Sequence, residues 1–293
     1  MIVNSTSLQA MFIGFKTLFN KGSKEAGPSW PQIATEVPSS NRSTTYAWLG
    51  QFPAFREWVG DRVLNNIAAH GYNVENKMYE SSIVVSRSDI EDDQVGVYGP
   101  MFEEMGRAAA THPDELIFGL LKNGTTEKCF DGRPFFDTAH PVGLGETPTP
   151  ISNYQDGTGP SWYLLDVSRA IKPLLFQVRR KYDLVAMNRA EDEGVFMRNE
   201  YRYGVDARCA AGFGFWQFAY CSKAPLTADS YKDARAKMLA YKSDEDRPLR
   251  VIPRLLVVPP SLEAEARALL VKGKDDGNPW AGSAELLVCP WLD

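Results

Sequence analysis

From Thr6 to Lys24 the apolar residues fall at Leu8, Met11, Phe12, Phe15, Leu18 and Phe19. Spacings of three and four mark one face of a helix, with Thr6 or Ser7 available as N-cap and Gly27-Pro28-Ser29 as its stop. The stripe is either core of its own subunit or an arm that docks on a neighbour, and periodicity does not separate the two. Tyr72 to Arg87 alternates apolar and polar positions and predicts one long strand. Ser88 and Glu91 then have the spacing of a capping box. Gly99-Pro100 interrupts the helix they open, and Tyr98, Met101, Phe102, Met105, Ala108 and Ala109 give a helical face up to Thr111. His112-Pro113 predicts the start of another short helix, carrying Leu116, Ile117, Leu120 and Leu121 and stopped by Gly124. Such a kinked rod from Ser88 to Asn123 would span on the order of 50 Å at about 1.5 Å per residue.

The second half alternates less regularly. Asp131-Gly132 is a turn signal that predicts a small hairpin between Cys129 and His140, and residues 143–159, rich in Gly, Pro and Thr, read as an exposed linker. Trp162 to Tyr182 fits helix or strand. Tyr201 to Tyr220 predicts paired strands with a bend at Gly212 and Gly214. Thr227 to Lys242 reads as an amphipathic helix, Arg254 to Val258 as a buried strand, the stretch after Pro259-Pro260-Ser261 as a helix to Leu270, and Ser283 to Cys289 as a closing strand. No internal repeat occurs at a fixed period. The class is mixed α+β.

Residues 31–58 stand apart. Pro31, Pro38 and Pro53 punctuate a polar run (Ser39, Ser40, Asn41, Ser43, Thr44, Thr45), and Tyr46, Trp48, Phe52, Phe55 and Trp58 follow. A Pro-broken polar segment builds no core, whereas large aromatics seek burial. Either they pack on their own subunit, or they complete a surface that another molecule supplies. These five residues, with Phe12, Phe15 and Phe19 of the first helix, are the candidate inter-subunit contacts.

Composition narrows the function. Lys plus Arg is 32 against 37 Asp plus Glu, a net charge of −5, which argues against a tight duplex binder because phosphate contacts need a basic surface. Arg179-Arg180-Lys181 is a local exception, read either as a solvated face or as a weak, non-specific contact to DNA. The longest apolar run near the N-terminus, Ala10 to Phe15, is far short of the ~20 residues that span a bilayer. With no secretory signal evident, a cytoplasm is the expected site of synthesis. Cys129, Cys209, Cys221 and Cys289 lie in no CxxC pair and form no disulfide scaffold, and the three His residues have no zinc spacing, so no metal or other cofactor is expected. The best catalytic-looking group is Cys129, Asp137 and His140, the residue types of a cysteine hydrolase; the competing reading is a His that anchors a turn before Pro141. A cytoplasmic cysteine hydrolase using Cys129 and His140 is thus the alternative to a structural role. The acidic run Asp89, Glu91, Asp92 and Asp93 suits a helix N-terminus better than a cation site.

Three segments carry a recognisable pattern: YAWLGQFPAFREWVGDR (46–62) leading through the 72–93 strand to HPDELIFGLLKNG; FDGRPFFDTAHP (130–141); and FMRNEYRYGVDARCAAGFGFWQFAY (196–220) leading to RLLVVPPSLEAEARALL and SAELLVCPWLD. In this order and spacing they resemble the major head subunit of Mu-like phages over nearly the whole chain, a family related to HK97-type coat proteins. The resemblance implies a non-enzymatic structural protein with the HK97-type capsid fold, self-assembling into hexamers and pentamers of an icosahedral head. It implies an N-terminal arm (1–30), an extended loop (31–80), a peripheral domain with a spine helix (81–124), a hairpin and linker (125–160), strands returning to the peripheral domain (161–222) and an axial domain (223–293). Some HK97-type shells weld subunits through a Lys–Asn bond, and Lys77 lies in the corresponding region. Implied partners are copies of the chain, a separate scaffold protein, a portal, a decoration protein and packaged DNA through weak non-specific contact, with assembly in the host bacterial cytoplasm and no membrane.

Overall fold

The computed structural model describes residues 3–49, 52, 71–92, 94–143, 147–189, 191–271 and 277–293. Its first elements are α1 (Ser5–Glu25), β1 (Ala34–Pro38), β2 (Ser43–Tyr46), β3 (Tyr72–Glu75), β4 (Lys77–Ser86), α2 (Arg87–Glu91) and α3 (Gly99–Lys122). Then come β5 (His140–Val142), β6 (Thr149–Ile151), β7 (Tyr154–Gln155), β8 (Trp162–Leu165), β9 (Leu174–Met187), α4 (Glu193–Arg198) and β10 (Glu200–Phe213). The chain closes with β11 (Ala219–Ser222), α5 (Ala228–Leu239), β12 (Leu255–Val258), α6 (Glu263–Leu270) and β13 (Glu285–Val288).

Two sheets organise two cores. The first sheet has the order β1-β9-β10-β4, and the second β13-β12-β8-β11-β7. From Glu200 to Cys209 of β10 burial alternates: Tyr201, Tyr203 and Val205 point inward, where Ile83 and Val85 of β4 and Leu184 of β9 join them beneath α1 and α3. The second core is built from the five-stranded sheet, from Tyr231, Ala234 and Met238 of α5, and from Ala266, Leu269 and Leu270 of α6. The far end of α3 (Ile117, Phe118, Leu121) and the near ends of β9 and β10 (Leu174, Leu175, Phe213) enter this second core too. The 14-residue strands β9 and β10 therefore run through both cores, about 45 Å at about 3.3 Å per residue. Among the described residues no helix is long and apolar enough to cross a membrane.

Four local expectations change. Asn4, not Thr6 or Ser7, caps α1: its Oδ1 accepts from the Ser7 amide at 2.8 Å, and Ser7 Oγ accepts from the Asn4 amide at 3.0 Å. No capping box forms at Ser88 and Glu91; Ser86 precedes α2, and Glu91 instead accepts from Arg87 Nε at 2.9 Å. The 72–87 strand is cut at Asn76, whose Nδ2 donates to Ser39 Oγ and the Asn41 carbonyl, so that β3 pairs with β2 while β4 pairs with β10. The helix does not restart at Pro113: α3 runs unbroken through it. A proline inside a helix lacks the N–H and crowds the carbonyl four residues back, at a cost of about 3 kcal/mol, which the burial of Phe102, Met105 and Ala109 on one side and Ile117, Phe118 and Leu121 on the other offsets.

The segment 201–220 is not a strand pair. β10 pairs with β9 and β4, and β11 lies in the other sheet between β8 and β7. A Cβ at Gly214 would stand 2.6 Å from the Lys172 carbonyl oxygen, so this glycine lets the chain pass closely by its neighbour as it changes sheets. In the same way β8, which the resemblance grouped with β9 and β10, belongs to the five-stranded sheet.

Candidate assembly surface

The first candidate contacts lie on α1. Phe15 stacks on Phe102 at 4.0 Å and meets Tyr203 edge-on at 5.2 Å, and Phe15 and Phe19 are both buried in the chain's own core. Only Phe12, at 6.3 Å from Tyr203, keeps part of its ring in solvent. Backbone approach explains the fit. A Cβ at Gly22 would lie 1.9 Å from the Glu103 carbonyl oxygen, and one at Gly106 would lie 1.9 Å from that of Phe19. Two glycines let α1 and α3 touch main chain to main chain. Beyond the helix, the buried Asp114 carboxylate of α3 accepts from the Ser29 and Trp30 amides, holding the chain as it leaves α1. Burial pushes the Asp114 carboxyl up, against the pull of those two bonds. The stripe is core, and Phe15 and Phe19 offer no side-chain surface to a neighbour.

The aromatic segment after Pro38 also folds back. The Tyr46 ring is buried and its hydroxyl donates to Gln177 Oε1 at 2.7 Å, while Gln177 Nε2 donates to the Val74 carbonyl. Trp48 and Phe52 lean on Phe215 at 5.9 and 4.8 Å. Tyr46 is thus removed from the contact set, Phe52 is half-buried, and Trp48, 37% exposed, is the described member of that segment with most free surface. Phe55 and Trp58 lie outside the described residues.

Cys129 and His140 are brought together, but by Asp131 rather than Asp137. Cys129 Sγ donates to Asp131 Oδ1 at 3.2 Å, and His140 Nδ1 is 2.6 Å from Asp131 Oδ2. Asn153 Nδ2 faces three carbonyls, of Phe135, Trp216 and Ala219, so its Oδ1 is the acceptor for His140 Nε2 at 3.1 Å and for the Asp137 amide at 2.9 Å. Both ring nitrogens are therefore engaged within the fold, and the ring stacks on Trp216 at 4.1 Å and 9°. Burial alone would raise the Asp131 carboxyl, yet the bonds from His140, the Arg133 amide and Cys129 together hold it below the ordinary carboxylate value. Burial, then the Asp131 charge, pushes the Cys129 thiol far up. A nucleophile needs the opposite shift and a base with a free acceptor. One ligand atom from each of Cys129, Asp131 and His140 falls within 4.8 Å, but every one is already committed to a hydrogen bond within the fold. The cluster pins the 129–141 turn to the second core.

The remaining sequence candidates are surface features. Arg180 pairs with Asp206, and Lys181 with Glu36 at 3.2 Å, which leaves Arg179 of the basic triplet. Lys77 opens β4 and is exposed. What sequence reasoning missed is α4: Phe196 is 81% and Met197 69% exposed, at the end of the first sheet. Three consecutive apolar residues in a six-residue helix carry no periodicity, so the only signal is the short run Val195-Phe196-Met197 before Arg198.

A family model described as Mu-like prophage major head subunit gpT matches residues 8–292. The major capsid protein of Escherichia phage Mu is 43% identical over 305 aligned positions that cover 100% of both chains. A chain from the procapsid of bacteriophage JBD30 superposes with a TM-score of 0.88 at 43% identity, covering 99% of this chain and 100% of that one. A chain from the capsid of the same phage decorated with minor capsid protein trimers gives 0.75 at 32% identity, over 91% of each.

Proposed function

Because the chain belongs to the Mu-like major head subunit family, and so is a major capsid protein of a tailed phage with the HK97-type fold, we propose that it forms the pentamers and hexamers of an icosahedral head enclosing double-stranded DNA. It is a self-assembling structural component of the virion, not an enzyme. The observation that carries the ring reading is the strand pair β9–β10 running through both cores. Such a member keeps the subunit stiff while surface segments meet neighbours at the differing angles of five-fold and quasi-six-fold rings.

In this reading α1, α3 and the four-stranded sheet form the peripheral domain, the part of 31–80 that lies between β1 and β4 supplies the extended loop, and the five-stranded sheet with α5 and α6 forms the axial domain. The contacts from the aromatic segment are then Trp48 and Phe52, and Phe12 of α1 is a separate contact at the first core. A separate scaffold, a portal, weak DNA contact and assembly in the host bacterial cytoplasm complete the proposal. The minor capsid protein trimers on the JBD30 shell support a decoration partner. Negative-stain microscopy of the full chain, produced with the other head proteins of its phage, tests the reading: hollow shells or rings are expected, and a compact monomer at high concentration would overturn it. Trp48→Ala is expected to leave a soluble subunit with impaired head formation, and normal heads would count against that contact.

A further inference from the structure

We propose that the tip of α4 is a knob that seats in the groove between α3 and β4 of a neighbouring copy; the proposal rests on the shell reading above. The knob is built rather than loose. Gly194 and Val195 are buried, and Val195 joins the first core. Asn199 ends the helix in the left-handed region (φ 55°), and its carbonyl accepts from the Arg87 amide at 2.9 Å. Phe196 and Met197 are thereby held outward on an anchored platform, so little ordering entropy is lost when they are covered. The outer face of the sheet continues the patch, since Val84 and Met187 flank Arg202 in register and both are exposed.

The groove is an apolar cavity of about 350 Å³ walled by Tyr79, Met105, Ala109, Tyr182, Val205 and Trp291. Glu80 and Glu115 also line it, with no Lys or Arg among the described residues. His112 adds no lasting positive charge there at neutral pH, because burial lowers its pKa against the pull of Glu115. Arg198 directly follows the apolar pair. Nearby Arg87 and Arg202 are held by Glu91 and Glu200, whereas Arg198 is exposed and in no ion pair among the described residues. The acidic residues Asp192 and Glu193 lie at the opposite end of α4, so the knob enters with its basic end toward Glu80 and Glu115.

The knob cannot fill its own groove. Ser86 pairs with Glu200 beside α4, but Tyr79 pairs with Ala207; the seven residue steps between them along β4 amount to roughly 23 Å. A knob and a hole at separate places on one chain make a heterologous contact, which propagates into rings or shells instead of closing a two-fold dimer.

The test uses the full chain produced with the other head proteins, with particles counted by sedimentation and microscopy and folding followed by circular dichroism. Phe196→Asp is expected to lower particle yield at least tenfold while the subunit stays folded. Arg198→Glu is expected to lower yield similarly, and Glu115→Arg in the same chain to restore it. Wild-type yield from Phe196→Asp overturns the proposal, as does an Arg198→Glu, Glu115→Arg chain that assembles no better than Arg198→Glu alone. A wild-type chain that forms no particles fails differently, because it refutes the shell reading itself.

Discussion

α1 and α4 make an instructive pair. The first has 21 residues, a capping box and an apolar stripe at helical spacing, and it is consumed in its own subunit. The second has six residues and no periodic face, yet it displays the most exposed phenylalanine among the described residues. In a shell subunit the strong periodic signal marks what the chain buries by itself, since only a long regular stripe can match the ridges of a second helix or the pleat of a sheet. What remains for neighbours are short apolar groups at the ends of elements, fixed in place by the core behind them. A contact surface need not resemble a core in sequence.

That contrast can be broken in descending order of effect. Phe15→Ala should destabilise the monomer by about 3–5 kcal/mol in urea unfolding, as deleting a buried aromatic does; a loss under about 1 kcal/mol would mean that α1 is a detachable arm. Gly106→Ala should cost about 1–3 kcal/mol, since the new methyl meets main chain and not a side chain that can turn away. An unchanged midpoint there would separate α1 from α3.

Tyr46→Phe leaves Gln177 Oε1 without its donor and should cost about 1–2 kcal/mol. The same substitution has a pH signature. Burial raises the Tyr46 hydroxyl from 10.0 to about 12, so its stabilising contribution is complete below pH 10 and disappears as pH rises through about 12. Tyr46→Phe should accordingly show a smaller alkaline loss of stability than the wild type, and an identical alkaline profile would place the Tyr46 ring outside the core. Smallest of all, Phe196→Ala should move monomer stability by no more than about 0.5 kcal/mol while lowering particle yield. A large stability loss there would make α4 core and erase the contrast.

Much of the architecture was readable beforehand. The capped stripe of α1, the apolar face of α3, the run of α5 and the strands β12 and β13 all follow from spacing and stop signals. The errors have physical causes. Pro113 reads as a boundary in sequence because a local rule counts its missing N–H and not the six buried side chains around it. Residues 201–220 looked like a hairpin because two apolar runs with glycines between them suit one, but β10 found longer partners in β9 and β4. The turn holding Cys129 and His140 was legible, whereas the Asp131 and Asn153 side chains that fix its chemistry were not, because hydrogen-bond partners converge in space and leave no trace in spacing.

By itself the sequence determined the mixed helical and sheet character, the helix faces and the family, because these rest on residue order and local periodicity. Tertiary structure alone decided which aromatics are hidden and which are offered. Phe15 and Phe196 have the same side chain, and only the packing of α3 and β10 over one and nothing over the other makes the first a core residue and the second a surface awaiting a neighbour.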